Sequence, residues 1–298
     1  MALPSYATPV QRTYYFVYLF FCCVVFFFLV APLIAIIPIS FSVSPFMVFT
    51  EEMLAWPPNP EAWSLRWYQN MIGNCSADVV SSTVPCSNKW MIGTVNSFFI
   101  GFIATFIATT LGTLAALGLS RPHMPYKGLI MAILISPMIV PLIITAAGMF
   151  FFYARINLVY SFTGIILAHV ALATPFVVIT VTATLVGFDM NMVKAAQSLG
   201  ARPVRTFFKV IMPLILPGVI SGALFAFITS FDEVVIVMFM GSLDQLTIPK
   251  QMWAGIRQEI SPVILCMATC LVVLSILLLT TVELLRRRSE KLRGIKSR

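Results

Sequence analysis

The stretch Asp189–Gly218 reads DMNMVKAAQSLGARPVRTFFKVIMPLILPG. Charged residues, small residues, an internal glycine and three prolines stand here between two long apolar runs. Asp189 or Asn191 can cap a helix with its side-chain oxygen, and MVKAAQSL then continues with good helix formers. Met192, Val193, Ala196 and Leu199 can share one face of that helix. Gly200 follows the last apolar position, where a left-handed C-terminal cap favours glycine. Pro203 suits the first turn of a new helix, because the N–H it lacks would have had no partner there. The segment therefore predicts a short helix, a sharp turn and a second helix running into the next apolar stretch. Pro213 and Pro217, four residues apart, each remove a helix hydrogen bond and predict a bend in that stretch.

The surroundings define the solvent. Of 298 residues 59% are hydrophobic and only 10% are charged, too few charges to cover a water-soluble domain. Runs of about 20 apolar residues, the length that crosses a hydrocarbon core, recur along the chain. Backbone groups in lipid must be satisfied within the segment, so these runs are read as helices, and no alternating pattern supports a barrel. Six spans are expected: Tyr14–Ser40, Trp90–Leu119, Gly128–Tyr153, Ser161–Gly187, Phe207–Ser230 and Val263–Leu285. The first is read as an uncleaved anchor, being too long for the core of a signal peptide. Residues 1–298 are read as one transmembrane domain, with an outer loop at about 41–89, an inner loop at about 189–206 and a basic tail at 286–298.

The net charge of +8 is distributed by side. Arg12, Arg121, Lys127, Lys194, Arg202, Arg205, Lys209 and the tail fall at one set of span ends; Arg66, Lys89, Arg155, Lys250 and Arg257 fall at the other. The excess of positive charge on the inner side puts both termini in the cytoplasm. The tail RRRSEKLRGIKSR is an orientation signal and a contact for anionic lipid rather than a nucleic-acid site.

The outer loop contains LAWPPNPEAWSLRWYQNMI, whose aromatic residues suit the headgroup layer. Trp56, Trp63 and Trp67 are accordingly expected to anchor it at the membrane surface. Cys75 and Cys86 lie in the same loop, where an oxidising periplasm would let them pair; two free thiols are the alternative. No spacing of His and Cys suits a metal, and His123 and His169 are far apart. In the second span Gly101, Ala104, Ala108, Gly112, Ala116 and Ser120 form a small-residue stripe that lets helices approach closely.

KAAQSLGARPVRTFFKVIMPLILPG resembles the EAA loop of ABC importer permeases, the membrane subunits of ATP-driven importers. Ala195, Ala196, Leu199, Gly200, Ala201, Phe207, Val210, Pro213, Leu214, Pro217 and Gly218 fall in register with the family pattern, while Lys194 stands where the family usually has Glu. SLRWYQNMI, NSFFIGFIATFIATTLGTLAALGLSR, SFDEVVIVMFM and GIRQEISP resemble the polyamine branch of the family, and NCSADVVSSTVPCSNK resembles an insertion. The resemblance implies an all-α polytopic membrane protein with six transmembrane helices and a cytoplasmic coupling helix, the transmembrane domain of a type I importer. It implies that Asp189, Lys194, Ala195, Ala196, Leu199, Gly200, Ala201, Arg202 and Arg205 belong to a surface that couples to an ATPase. The implied partners are a homologous second permease, two cytoplasmic ATPases that bind ATP and Mg, and a periplasmic binding protein. A polyamine such as putrescine or spermidine is the expected solute.

The residues themselves add a pathway feature. Phe207 to Met240 is almost continuously apolar and as one helix would extend about 50 Å at 1.5 Å per residue, against a core of about 30 Å. The break is expected at SFDEV, where Asp232 and Glu233 could meet a cationic solute; an outer-surface position, or pairing with Lys250 or Arg257, is the alternative. No nucleophile, base or metal cluster accompanies the pair, which argues against an enzyme. No Gly-x-x-x-x-Gly-Lys loop is present, so ATP is expected on a partner and no cofactor in this chain. An ion-coupled transporter working without an ATPase is the competing assignment.

Overall fold

The structure is a computed structural model that describes residues 8–57, 59–73, 88–121, 123–186, 188, 189, 191–258 and 261–292. Cys75 and Cys86 lie outside the described residues. Helices dominate: α1 (Pro9–Ser40), α2 (Glu51–Leu54), α3 (Arg66–Met71), α4 (Lys89–Leu119), α5 (Lys127–Ile139), α6 (Leu142–Arg155) and α7 (Phe162–Val186). They are followed by α8 (Asn191–Ser198), α9 (Pro203–Thr206), a π turn (Phe207–Ile211), α10 (Met212–Phe231), α11 (Val235–Met240), α12 (Ile248–Gln258) and α13 (Val263–Leu292). Among the described residues β structure is confined to one isolated bridge, Ser42 with Trp63. The chain forms two compact units, Met1–Asn88 with Gly255–Arg298, and Lys89–Ala254.

In the first unit α1 packs along α13, and α13 on α3. The C-terminus of α1 is fixed by polar contacts: the Ser40 and Tyr68 hydroxyls are 2.7 Å apart, and the Cys266 thiol donates to the Ser40 carbonyl at 3.4 Å. Trp67 is fully buried, its indole N–H donates to the Ser42 carbonyl at 2.9 Å, and the Arg66 guanidinium lies 4.4 Å from its ring centroid. Trp67 is thus a core residue of the segment between α1 and α4 and not a surface anchor. An indole whose N–H finds a partner is stable when buried, and the bridge at Ser42 supplies that partner. Trp56, in contrast, is 92% exposed.

The second unit is organised around α4, α7 and α10, which pack on one another. Their buried face contains Ile100, Ala104, Ala108 and Ala116 of α4, Ala173, Val177 and Val181 of α7, and Ile215 and Ala226 of α10. Small residues decide the approach. A Cβ added at Gly112 would lie 2.6 Å from Val177 Cβ, and one at Gly222 would lie 2.6 Å from Thr180 Oγ1 and 3.0 Å from Val177 Cα. Gly218 abuts Thr184 as closely. Thr180 and Thr184 satisfy their hydroxyls on carbonyls of their own helix, Phe176 and Thr180, at 2.9 Å each. They therefore offer compact side chains with no stranded donor in an apolar seam. Overpacking such a seam costs about 1–3 kcal/mol. Gly222→Leu should lower the thermal transition of the solubilised chain, whereas Gly118→Ala, where an added Cβ meets nothing within 4 Å, should leave it unchanged. Equal transitions for the two variants would refute the close-approach argument.

The span count differs from the six expected. Among the described residues four helices are long and apolar enough to cross a bilayer, Pro9–Ser40, Lys89–Leu119, Phe162–Val186 and Pro203–Phe231, or up to five if a bent pair counts as one. That pair is α5 and α6, which turn by 101° between Ile139 and Leu142. Pro141 is the physical reason: its ring disfavours helical geometry at the residue before it, and Val140 is extended at ψ 136°. Among the described side chains the apolar part of α13 is Val263–Leu277. Helical structure runs from Pro203 to Phe231, and the π turn at Phe207–Ile211 sits where Pro213 would otherwise meet the carbonyl of Lys209. The wider turn makes room for the proline ring.

Candidate functional site

Two places in the second unit carry polar residues that its packing does not need, the segment 189–206 and the break after α10.

The first is built by local rules. The Asp189 carboxylate accepts the Asn191 N–H at 2.9 Å, and its carbonyl accepts the Met192 N–H at 3.2 Å. α8 then runs for eight residues, Asn191–Ser198. Gly200 lies at φ 78°. Its N–H donates to the Gln197 carbonyl at 2.9 Å, and the Ala201 N–H donates to the Ala196 carbonyl at 3.0 Å. These two bonds are the paired reverse contacts of a Schellman motif, which satisfies carbonyls left over at a helix end. Arg202, at ψ 153°, then caps α9, with Pro203 at its first position. The Thr206 N–H donates to the Arg202 carbonyl at 2.9 Å.

This helix is exposed on most of its circumference. Lys194, Ala195, Gly200, Arg202 and Arg205 are exposed, and Ala196 and Ala201 are half-buried. Leu199, expected to share one face with Met192, Val193 and Ala196, is 88% exposed. The helix ends at Ser198, so Leu199 follows the turn rather than the helical face.

The second place follows from the length of the Phe207–Met240 run. α10 ends at Phe231 and α11 begins at Val235, so the chain breaks at the acidic pair, as its length required. The two carboxylates have different environments. Glu233 is 7% exposed, and its Oε1 accepts the Ile236 N–H at 2.9 Å. It serves as an N-terminal cap for α11, where negative charge is favourable. Asp232 is the C-cap of α10 and is exposed. A carboxylate at a helix C-terminus opposes the helix dipole, by about 0.3–1 kcal/mol, so Asp232 is placed against its local electrostatics. Phe231, the residue before it, belongs to an aromatic cluster: the Phe98 ring is 5.2 Å from Phe231, Phe102 is 5.2 Å from Phe227, and Phe227 is 5.4 Å from Phe231.

Lys250 does not pair with either acid: its ammonium donates to the Gly241 and Ser242 carbonyls at 2.8 and 3.2 Å. Partial burial lowers its pKa below the usual lysine value. Two further features were not anticipated from the sequence. Asn96 of α4 donates to the Asp244 and Leu246 carbonyls at 2.8 and 2.9 Å, and the Ser97 hydroxyl accepts the Ile248 N–H at 2.8 Å. These bonds tie the loop after α11 to the start of α4. His169 is buried inside α7, with Nδ1 2.8 Å from the Ser230 hydroxyl. An ionisable residue within an apolar span was the available signal for this pair. Among the described residues no group of His, Cys, Asp and Glu could hold a metal ion.

With this geometry in place, the class is defined by residues 108–291, which match the family described as binding-protein-dependent transport system inner membrane component; the chain belongs to that family. The spermidine/putrescine transport system permease protein PotC of Haemophilus influenzae is 29% identical over 236 residues, 79% of this chain and 85% of that one. The putrescine transport system permease protein PotI of Escherichia coli is 28% identical over 249 residues, 81% of this chain and 80% of that one. The fold is that of a chain from a bacterial ABC transporter involved in the import of the acidic polysaccharide alginate, with TM-score 0.70, 14% identity, and coverage of 96% of this chain and 99% of that one. The protein is a multi-pass permease of this membrane-transport family.

Proposed function

We propose that the chain is the permease subunit of an ATP-driven importer that moves a polyamine such as putrescine or spermidine, delivered by a periplasmic binding protein. The observation that carries the coupling assignment is the outward-facing helix Asn191–Ser198 with its Schellman turn at Gly200. The turn sets that helix directly before α9, the π turn and α10. Asp189, Lys194, Ala195, Ala196, Leu199, Gly200, Ala201, Arg202 and Arg205 form the surface on which a cytoplasmic ATPase seats. ATP and Mg belong to that partner. Both termini of this chain are cytoplasmic in this arrangement, and a second, homologous permease completes the pathway as a heterodimer.

The solute assignment rests on relatives named for spermidine and putrescine and on chemistry at the break. Asp232 supplies an exposed negative charge, and the Phe98, Phe102, Phe227 and Phe231 rings supply an apolar, π-rich wall. A polyamine presents cationic groups joined by methylene chains, which match both. Affinity purification from native membranes tests the assembly. Co-elution of an ATPase, a second permease and uptake that depends on ATP is the expected result. A lone chain that accumulates polyamine on an ion gradient without ATP would overturn the proposal in favour of a secondary transporter.

A further inference from the structure

Behind α8 lies a cavity of about 740 Å³. Its walls include Leu117 near the end of α4, Leu185 near the end of α7, and Phe207 and Ile211 in the π turn. Those three segments are the ends of membrane-length helices, so the cavity opens where hydrocarbon gives way to headgroups. Arg121, a fixed cation, and His123, whose ring nitrogens can hydrogen-bond an anion, line it from the exposed loop after α4, and no Asp or Glu does so among the described residues. Arg202 and Arg205 flank Pro203 and Thr206, which also face it. A second observation is independent of charge: Thr206 lines the cavity, is 2% exposed, and its buried hydroxyl has no hydrogen-bond partner among the described residues. A buried hydroxyl without a partner costs about 1–3 kcal/mol, and rotation of the Thr206 side chain toward a ligand oxygen in the cavity would offset it.

We propose that this cavity is a binding site for an anionic phospholipid. One acyl chain fills the apolar interior, the phosphate lies at the mouth against Arg121 and His123, and an ester or glycerol oxygen meets the Thr206 hydroxyl. The volume falls in the range of ligand pockets, about 300–1,000 Å³. Basic groups at the membrane surface favour anionic over zwitterionic headgroups. Val193 and Gln197 of α8 also line the cavity, so the bound lipid would support the inner side of that helix. The site concerns the membrane protein as such and stands whatever the transported solute.

The test uses the purified complex, delipidated in detergent, with phosphatidylglycerol, phosphatidylcholine of the same acyl chains, or glycerol phosphate added. Native mass spectrometry counts the molecules retained. One phosphatidylglycerol per copy of this chain is expected, with phosphatidylcholine retained at least about tenfold less, a difference of about 1.4 kcal/mol. The Arg121→Gln/His123→Gln variant should remove this preference. Leu117→Trp, which fills the interior and leaves Arg121 and His123 in place, should abolish retention. Both variants must keep the thermal transition of the parent complex, and a variant that does not is replaced by Ile211→Trp for the filling arm. Equal retention of the two lipids, retention by the filled variants, or equally tight binding of glycerol phosphate would overturn the proposal. So would protection of a cysteine placed at Ser120 by the ATPase alone in lipid-free detergent, since that would assign the cavity to the protein partner.

Discussion

Gly200→Asp is expected to reduce ATP-dependent uptake to background while the chain still inserts into the membrane. The expectation comes from two properties of this glycine. Its φ of 78° lies in the left-handed region, where an ordinary side chain costs about 1–2 kcal/mol, and the Schellman bonds of Gly200 and Ala201 depend on that conformation. A Cβ added there meets nothing within 4 Å, so the internal packing of the permease has no objection to a side chain. The damage therefore falls on the turn and on the surface outside it. Aspartate adds bulk and negative charge between Leu199 and Arg202, where the proposed ATPase contact lies. Asparagine, which tolerates left-handed geometry and adds no charge, should keep part of the activity. Uptake into proteoliposomes containing the full complex, together with ATPase assays and membrane fractionation, checks this. Normal uptake by the aspartate variant would remove the segment from the coupling role.

Asp232→Asn should have the second large effect, lowering uptake of putrescine or spermidine at sub-saturating concentration by about tenfold, equivalent to about 1.4 kcal/mol. The substitution keeps the shape and removes the charge. It should also relieve the unfavourable placement of that charge at the C-terminus of α10, so the variant should be at least as heat-stable as the parent. Loss of transport with retained stability is the signature of a charge kept for a ligand. Glu233→Gln is predicted to act differently. Its remaining Oε1 can still accept the Ile236 N–H, so the cap survives and the smaller loss of uptake reflects charge alone. The double substitution should weaken uptake at least as much as Asp232→Asn. Unchanged uptake kinetics in the double variant would take the acidic pair out of the pathway.

The segment 189–206 was legible because its signals are local. A cap residue, a run of helix formers, a glycine and a proline each act within a few residues, and the Schellman turn at Gly200 follows from them. The break at Asp232 was legible from length. The small-residue stripe of α4 was legible from period, and Gly101, Ala104, Ala108, Gly112 and Ala116 are all buried. What the sequence did not disclose depended on contacts between distant residues. Trp67 carries the same aromatic signal as Trp56, and only the Ser42 carbonyl 25 residues away makes it a core residue. The different environments of Asp232 and Glu233 required knowing where α10 stops and α11 starts. The clamp from Asn96 to Asp244 and Leu246 spans about half the chain. The turn at Pro141 was not disclosed either, because a break inside an apolar run leaves the composition unchanged and alters only the direction of the chain.

The interlock of Gly112, Gly218 and Gly222 with Val177, Thr180 and Thr184 has a mechanical consequence. Backbones seated this closely have no slack for sliding, and tightly packed interiors shift between discrete arrangements rather than flexing gradually. In the proposed importer the three helices would tilt as a solid wedge, and a push delivered at Thr206 would reach Asp232 as its rotation, entering beside the π turn at Phe207–Ile211.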